Sequence, residues 1–205
     1  MSSFLHDTLA EEIGGDIIVW LRGIRNRVNC SDERTIAAVK GIGSAGTSTI
    51  TFPVATGSPD KKGPDKSFQH RQCEFPGLVI EVAWSQRKLD LPWLADSYIQ
   101  RSKGEIRTVV GVNLNDIYRV KRRKGAKTAS AEAPATFSVW RAELDNSNGQ
   151  TRVSVKNSVR DQVHFPPVLQ SRNYRSCRIR KQSSVLNQNL ENVCISPNYC
   201  IIQRA

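Results

Sequence analysis

The residues of this 205-residue chain best suited to chemistry are two carboxylates, Asp65 after a proline and Glu81 fifteen intervening residues further on. Glu81 lies inside Leu78-Val79-Ile80-Glu81-Val82-Ala83-Trp84, an apolar and β-branched run of the kind that forms a strand buried on both faces. An ionised glutamate there is costly unless it is paired, hydrogen-bonded or metal-bound. If Asp65 opens the neighbouring strand, the two acids converge at one end of the sheet and share Mg²⁺ or Mn²⁺ through hard oxygen ligands. Such an ion orients and acidifies a water and offsets charge on a phosphorane-like transition state. The spacing alone is not specific, because an aspartate after proline is more often a turn residue.

The elements that must hold these acids can be read from periodicity. Residues 4–28 carry apolar side chains at helical spacing, and Gly14-Gly15 predicts a kink or a split in the middle. Arg34 to Val39 suits a short helix or a strand, with Gly41, Gly43 and Gly46 marking a turn after it. Ser48 to Val54 reads as a strand and residues 56–64 as a loop. Leu89 to Arg101 is helical, with Pro92 tolerated in its first turn, and Ile106 to Leu114 is a second buried strand. Strand, helix and strand within about 35 residues make a βαβ unit. Residues 135–144 and 151–155, with turn residues between them, form a hairpin that flanks the main sheet. The expectation is one α+β domain over 1–165 with an α/β-like core and a mostly parallel sheet, followed by a basic, poorly ordered or atypical tail over 166–205.

Charge is unevenly placed. The formal net charge is +11, yet residues 1–100 hold 11 Lys/Arg against 12 Asp/Glu and residues 101–205 hold 19 against 7. A basic half favours a polyanion through phosphate neutralisation, so DNA or RNA is the expected partner, although a solvated surface explains such a charge equally well. Neither a secretory leader nor an apolar run of spanning length is recognisable, which points to an intracellular protein, nuclear or cytoplasmic, with no membrane partner. The five cysteines include no CxxC pair, so a structural zinc has no support and free thiols are expected. The glycines form neither GxxxxGK[ST] nor GxGxxG, and Ser85 has no GxSxG elbow.

The segments Pro64-Asp65-Lys66-Ser67-Phe68, Leu78 to Gln86, the following Asp/Ala/Tyr-bearing helix and Gly104 to Val110 resemble the core of the PD-(D/E)xK restriction-endonuclease-like superfamily, and more closely a group of fungal proteins within it. The resemblance covers roughly residues 4–115, with the Trp140 hairpin as an extension. It implies a helix followed by a mixed central sheet flanked by helices, and metal-dependent phosphodiester hydrolysis in active members. Asp65 and Glu81 match the two metal-binding acids. An acid on the first helix is also implied, a place open to Glu12, Glu11 or Asp7. The motif lysine is missing, since Ala83 occupies its position. That lysine orients the attacking water and stabilises developing charge, which a methyl group cannot do. Gln86, Lys88 or Lys103 are the groups that could reach back, Gln86 only as a hydrogen-bonding group.

Two functions follow from this resemblance. One is a Mg²⁺- or Mn²⁺-dependent nuclease in which Arg101, Lys103, Arg107 and the basic run Lys121, Arg122, Arg123 and Lys124 grip phosphates. The other is an inactive endonuclease-like module that binds nucleic acid or protein. A homodimer is compatible with either. Trp84, Trp93 and Trp140 suit core packing better than base stacking, and His70 reads as an exposed loop residue.

Overall fold

The computed structural model describes residues 4–54, 56–84, 90–115, 135–146 and 151–163. Helix α1 (Phe4–Arg25) leads into α2 (Glu33–Lys40), and then come strands β1 (Ile42–Gly46), β2 (Ile50–Phe52), β3 (Asp60–Lys62), β4 (Lys66–His70) and β5 (Leu78–Ala83). Helix α3 (Leu91–Arg101) connects β5 to β6 (Thr108–Asn113), and β7 (Ala135–Asp145) and β8 (Arg152–Val163) complete the order. Six strands form one sheet in the order β1-β4-β5-β6-β7-β8, and β2 and β3 form a separate ladder.

The sheet is mixed rather than mostly parallel, because β5–β6 is its one parallel pair among the described residues. That pair is the predicted βαβ unit. The connections between β4 and β5 and between β7 and β8 are too short for a crossover, so those strands pair antiparallel. The hairpin of β7 and β8 flanks the core strands as expected, and does so by extending the sheet beyond β6.

Two apolar layers flank the sheet, as strand alternation requires. Ile80, Val82, Val110 and Val112 point to one side, where Ala10, Ile13, Ile17, Leu21 and Ile24 of α1 cover them. Val79, Ala83 and Val109 point to the other, under Leu91, Leu94, Ala95, Tyr98 and Ile99 of α3, with Ile50 and Phe52 of the small ladder beside them.

Helix α1 runs unbroken through Gly14-Gly15, contrary to the expected kink. Gly14 has a packing reason instead, since a Cβ there would lie 2.9 Å from Lys66 Cε. The missing side chain lets α1 settle on β4 while the Lys66 stem passes beneath it. Helix α2 resolves the open choice for 34–39, with Asp32 capping it by accepting from Thr35 N at 2.8 Å. Arg25 ties the end of α1 to the next elements by donating to the carbonyls of Val39 and Ile42. The segment read as a glycine turn is strand β1, and the segment read as loop contains β3. Cys30 is a free thiol, whereas Cys73 is disulfide-bonded, which departs from the all-free expectation.

Candidate functional site

Strands β4 and β5 pair with Lys66 opposite Ile80, Ser67 opposite Val79 and Phe68 opposite Leu78. The ladder stops there, and Asp65 is the residue just before it, as Glu81 is the residue just after it on β5. Asp65 ends the ladder with its side chain: its Oδ2 accepts from the Val82 backbone N–H at 2.7 Å. Pro64, the preceding residue, is fully buried and fixes the entry of the chain into β4. Burial raises the Asp65 carboxyl pKa, against the lowering pull of the Val82 hydrogen bond and of His6.

Glu81 faces the α3 layer, in phase with Val79 and Ala83, and is only 7 % exposed. Its Oε1 accepts from the Tyr98 hydroxyl at 2.7 Å. Burial is the main reason its pKa rises to about 7; the Tyr98 hydrogen bond lowers it, the charge of Asp65 raises it, and His6 and Lys62 lower it. The two carboxylates are thus close enough to feel each other. Near neutral pH the Glu81 carboxyl is partly protonated, and a cation held nearby would favour its ionised form.

Two residues at this site carried no signal in the sequence. His6, near the start of α1, brings Nε2 to 3.1 Å from Asp65 Oδ2 while its Nδ1 is 2.9 Å from Asp7 Oδ1. Lys62, the last residue of β3, holds its Nζ 5.0 Å from the Trp93 ring centroid and 6.0 Å from that of Tyr98. Cation–π contacts at exposed sites are worth about 0.5–1 kcal/mol, so the ammonium is positioned but only weakly held. A lysine three residues ahead of Asp65 gives no hint that a short ladder will fold it over α3.

The remaining candidates fall in several places. On α1, Glu11 is committed to Lys66, whose Nζ lies 2.7 Å from both of its carboxylate oxygens. Asp7 is the helix acid whose charge reaches Asp65 and raises its pKa. Glu12 is exposed, about 200° around the helix axis from buried Ala10. Ala83 is fully buried in the apolar cluster that contains Leu91, Leu94 and Ala95. A lysine at this position would have to displace the start of α3. Gln86 and Lys88 lie outside the described residues, as do Lys121, Arg122, Arg123, Lys124 and the tail over 166–205.

Arg101, Lys103 and Arg107 belong to the far end of α3 and the approach to β6, away from Ala83. Arg101 is ion-paired with Asp60, Lys103 takes a left-handed φ of 53° in the exposed turn after the helix, and Arg107 is half-buried. They do not converge on the carboxylate pair. Trp140 is buried in the α3-side layer and Trp84 is half-buried against the α1-side core, whereas Trp93 is 63 % exposed, which departs from the core role expected for it. His70 ends β4 half-buried, against Gly41, rather than lying in an exposed loop.

Among the described residues no group of three or more His, Cys, Asp or Glu is placed to hold a metal ion. Asp65 and Glu81 thus have no third described residue of these types beside them in a metal-holding arrangement. A cleft of about 280 Å³ between residues 45–51 and Ser67, Gln69, Glu74, Phe75 and Pro76 is lined by neither carboxylate. Among the described residues no helix is long and apolar enough to cross a membrane. No family model, curated protein or solved structure matches the chain.

Proposed function

We propose that the chain is a nuclease of the PD-(D/E)xK type, hydrolysing phosphodiesters of nucleic acid with Mg²⁺ or Mn²⁺ between Asp65 and Glu81. The observation that carries this reading is the nearness of a part-buried and a buried acid at adjoining strand ends: burial raises the pKa of Glu81 to about 7, and the charge of Asp65 adds to that rise. A buried carboxylate next to a second one is an unstable arrangement that a hard cation stabilises. The leading helix, the mixed sheet and the helices on its two faces agree with the architecture that the resemblance implies.

In this reading Asp65 and Glu81 hold the ion, which supplies a polarised water and stabilises charge on the phosphoryl oxygens. Tyr98 holds one oxygen of the Glu81 carboxylate and the Val82 amide one oxygen of Asp65, which would limit the freedom of the two groups that hold the ion. His6 closes the α1 side of the site. With few protein ligands the site suits Mg²⁺, which keeps several waters and binds through one or two carboxylates plus substrate phosphates.

The second reading, an inactive module that binds nucleic acid or protein, draws on the buried Ala83 at the place of the motif lysine. The two readings separate in one experiment. Mixed DNA and RNA substrates are incubated with wild type and the Glu81→Gln variant in Mg²⁺ or Mn²⁺, and cleavage and binding are followed in parallel. The nuclease reading expects metal-dependent cleavage by wild type, and a variant that binds but does not cut. Binding without cleavage by wild type would favour the inactive module.

A further inference from the structure

We infer that Lys62 performs, from outside the motif, the work of the lysine that Ala83 cannot do: its ammonium contacts the scissile phosphate and the attacking water at the Asp65–Glu81 site. This inference rests on the nuclease reading and adds a residue to it.

The placement follows from the small ladder. β2 and β3 pair Ile50 with Lys62 and Phe52 with Asp60. Ile50 and Phe52 are buried against the α3 layer, so Lys62 and Asp60 face the same way. Asp60 reaches Arg101 at one end of α3, and Lys62 lies over Trp93 and Tyr98 nearer the other. Lys62 thus stands on the side of the sheet that Glu81 faces, one tyrosine ring from its carboxylate. From Lys62 the chain needs only Gly63 and Pro64 to arrive at Asp65.

Ala83 shares the face of Glu81 on β5, so a lysine there would extend into the layer that the Lys62 ammonium already occupies. Other described cations are engaged or misplaced. Lys66 points to the opposite face of the sheet and pairs with Glu11. Arg101 pairs with Asp60, Lys103 lies beyond the far end of α3, and Lys61 is exposed on the other side of the ladder. The weak hold of two aromatic rings suits a group that must move to a phosphate when substrate arrives. A cation aimed at the phosphoryl oxygens stabilises charge that develops in the transition state.

The test compares wild type, Lys62→Met and Lys62→Arg in single-turnover cleavage of mixed DNA and RNA, with Mn²⁺ binding measured on the same proteins. Methionine keeps the apolar stem over Trp93 and removes the charge. The expected result is a rate lower by about a hundredfold in Lys62→Met, partial recovery in Lys62→Arg, and Mn²⁺ binding retained in both. Cleavage by Lys62→Met at the wild-type rate would overturn the role of Lys62 and leave the nuclease reading intact. Loss of Mn²⁺ binding in Lys62→Met would also overturn it, because the residue would then serve the metal site rather than the phosphate. A wild type that cuts nothing overturns both.

Discussion

Replacing Glu81 by glutamine should stabilise the protein at high pH and change little at low pH. The side chain is buried, and its pKa is raised from the ordinary 4.5 to about 7, chiefly by burial. Because the folded carboxyl keeps its proton at a pH where the unfolded one has lost it, its contribution is fully favourable below pH 4.5 and is lost as pH rises to about 7. At about 1.4 kcal/mol per pH unit, the gap between those values costs the metal-free wild type roughly 3 kcal/mol once both forms are ionised. Glutamine carries no such charge, and its carbonyl oxygen still accepts the Tyr98 hydroxyl. Urea unfolding of both proteins in chelator at pH 5 and pH 8 reads the difference. The variant should gain about 2.5 kcal/mol relative to wild type between those two pH values. Parallel stability profiles would refute the argument, since Glu81 would then titrate alike in the folded and unfolded chains.

Other predictions follow from the same geometry. Tyr98→Phe removes the hydroxyl that lowers the Glu81 pKa, so the carboxyl should titrate above 7, as followed by NMR of a labelled glutamate side chain. Asp65→Asn removes the neighbouring charge and should move the same titration downward, while an amide oxygen can still accept from Val82 N. Gly111→Ala should cost about 1–3 kcal/mol in thermal or urea unfolding, because the new methyl would meet the Trp140 ring at 2.7 Å and Leu91 at 3.2 Å in a packed layer.

How far the fold could be read depended on how strongly each segment repeats. β5, α3 and β6 are buried on regular faces, and their apolar spacing gave them within a few residues of their bounds. β4 was only inferred, since Lys66-Ser67-Phe68-Gln69-His70 has one large apolar residue, and the strand exists because it pairs between β1 and β5. β3 is three residues with two lysines, which no local propensity marks as a strand. That is why Lys62 was hidden in what read as a loop. The acid pair was legible because a glutamate in an apolar run demands an explanation from burial alone. His6 was not, since its partner lies 59 positions away and only the docking of α1 brings them together.

The broader lesson of Gly14 is similar. A glycine pair in a helical pattern reads as a weak point from propensity. Here it is the place where a buried lysine crosses under the helix, and tertiary packing outweighs the local cost.

The account depends on one divalent ion binding between Asp65 and the ionised form of Glu81, and calorimetric titration of Mn²⁺ into wild type at pH 6 and pH 8 tests this most directly. With Glu81 titrating near 7, its ionised fraction rises about tenfold between those values, and the apparent affinity for a single ion should rise about tenfold with it. Glu81→Gln should show no such site at either pH. A Glu81→Gln variant that binds Mn²⁺ as wild type does, or a wild-type affinity equal at pH 6 and pH 8, would contradict the account.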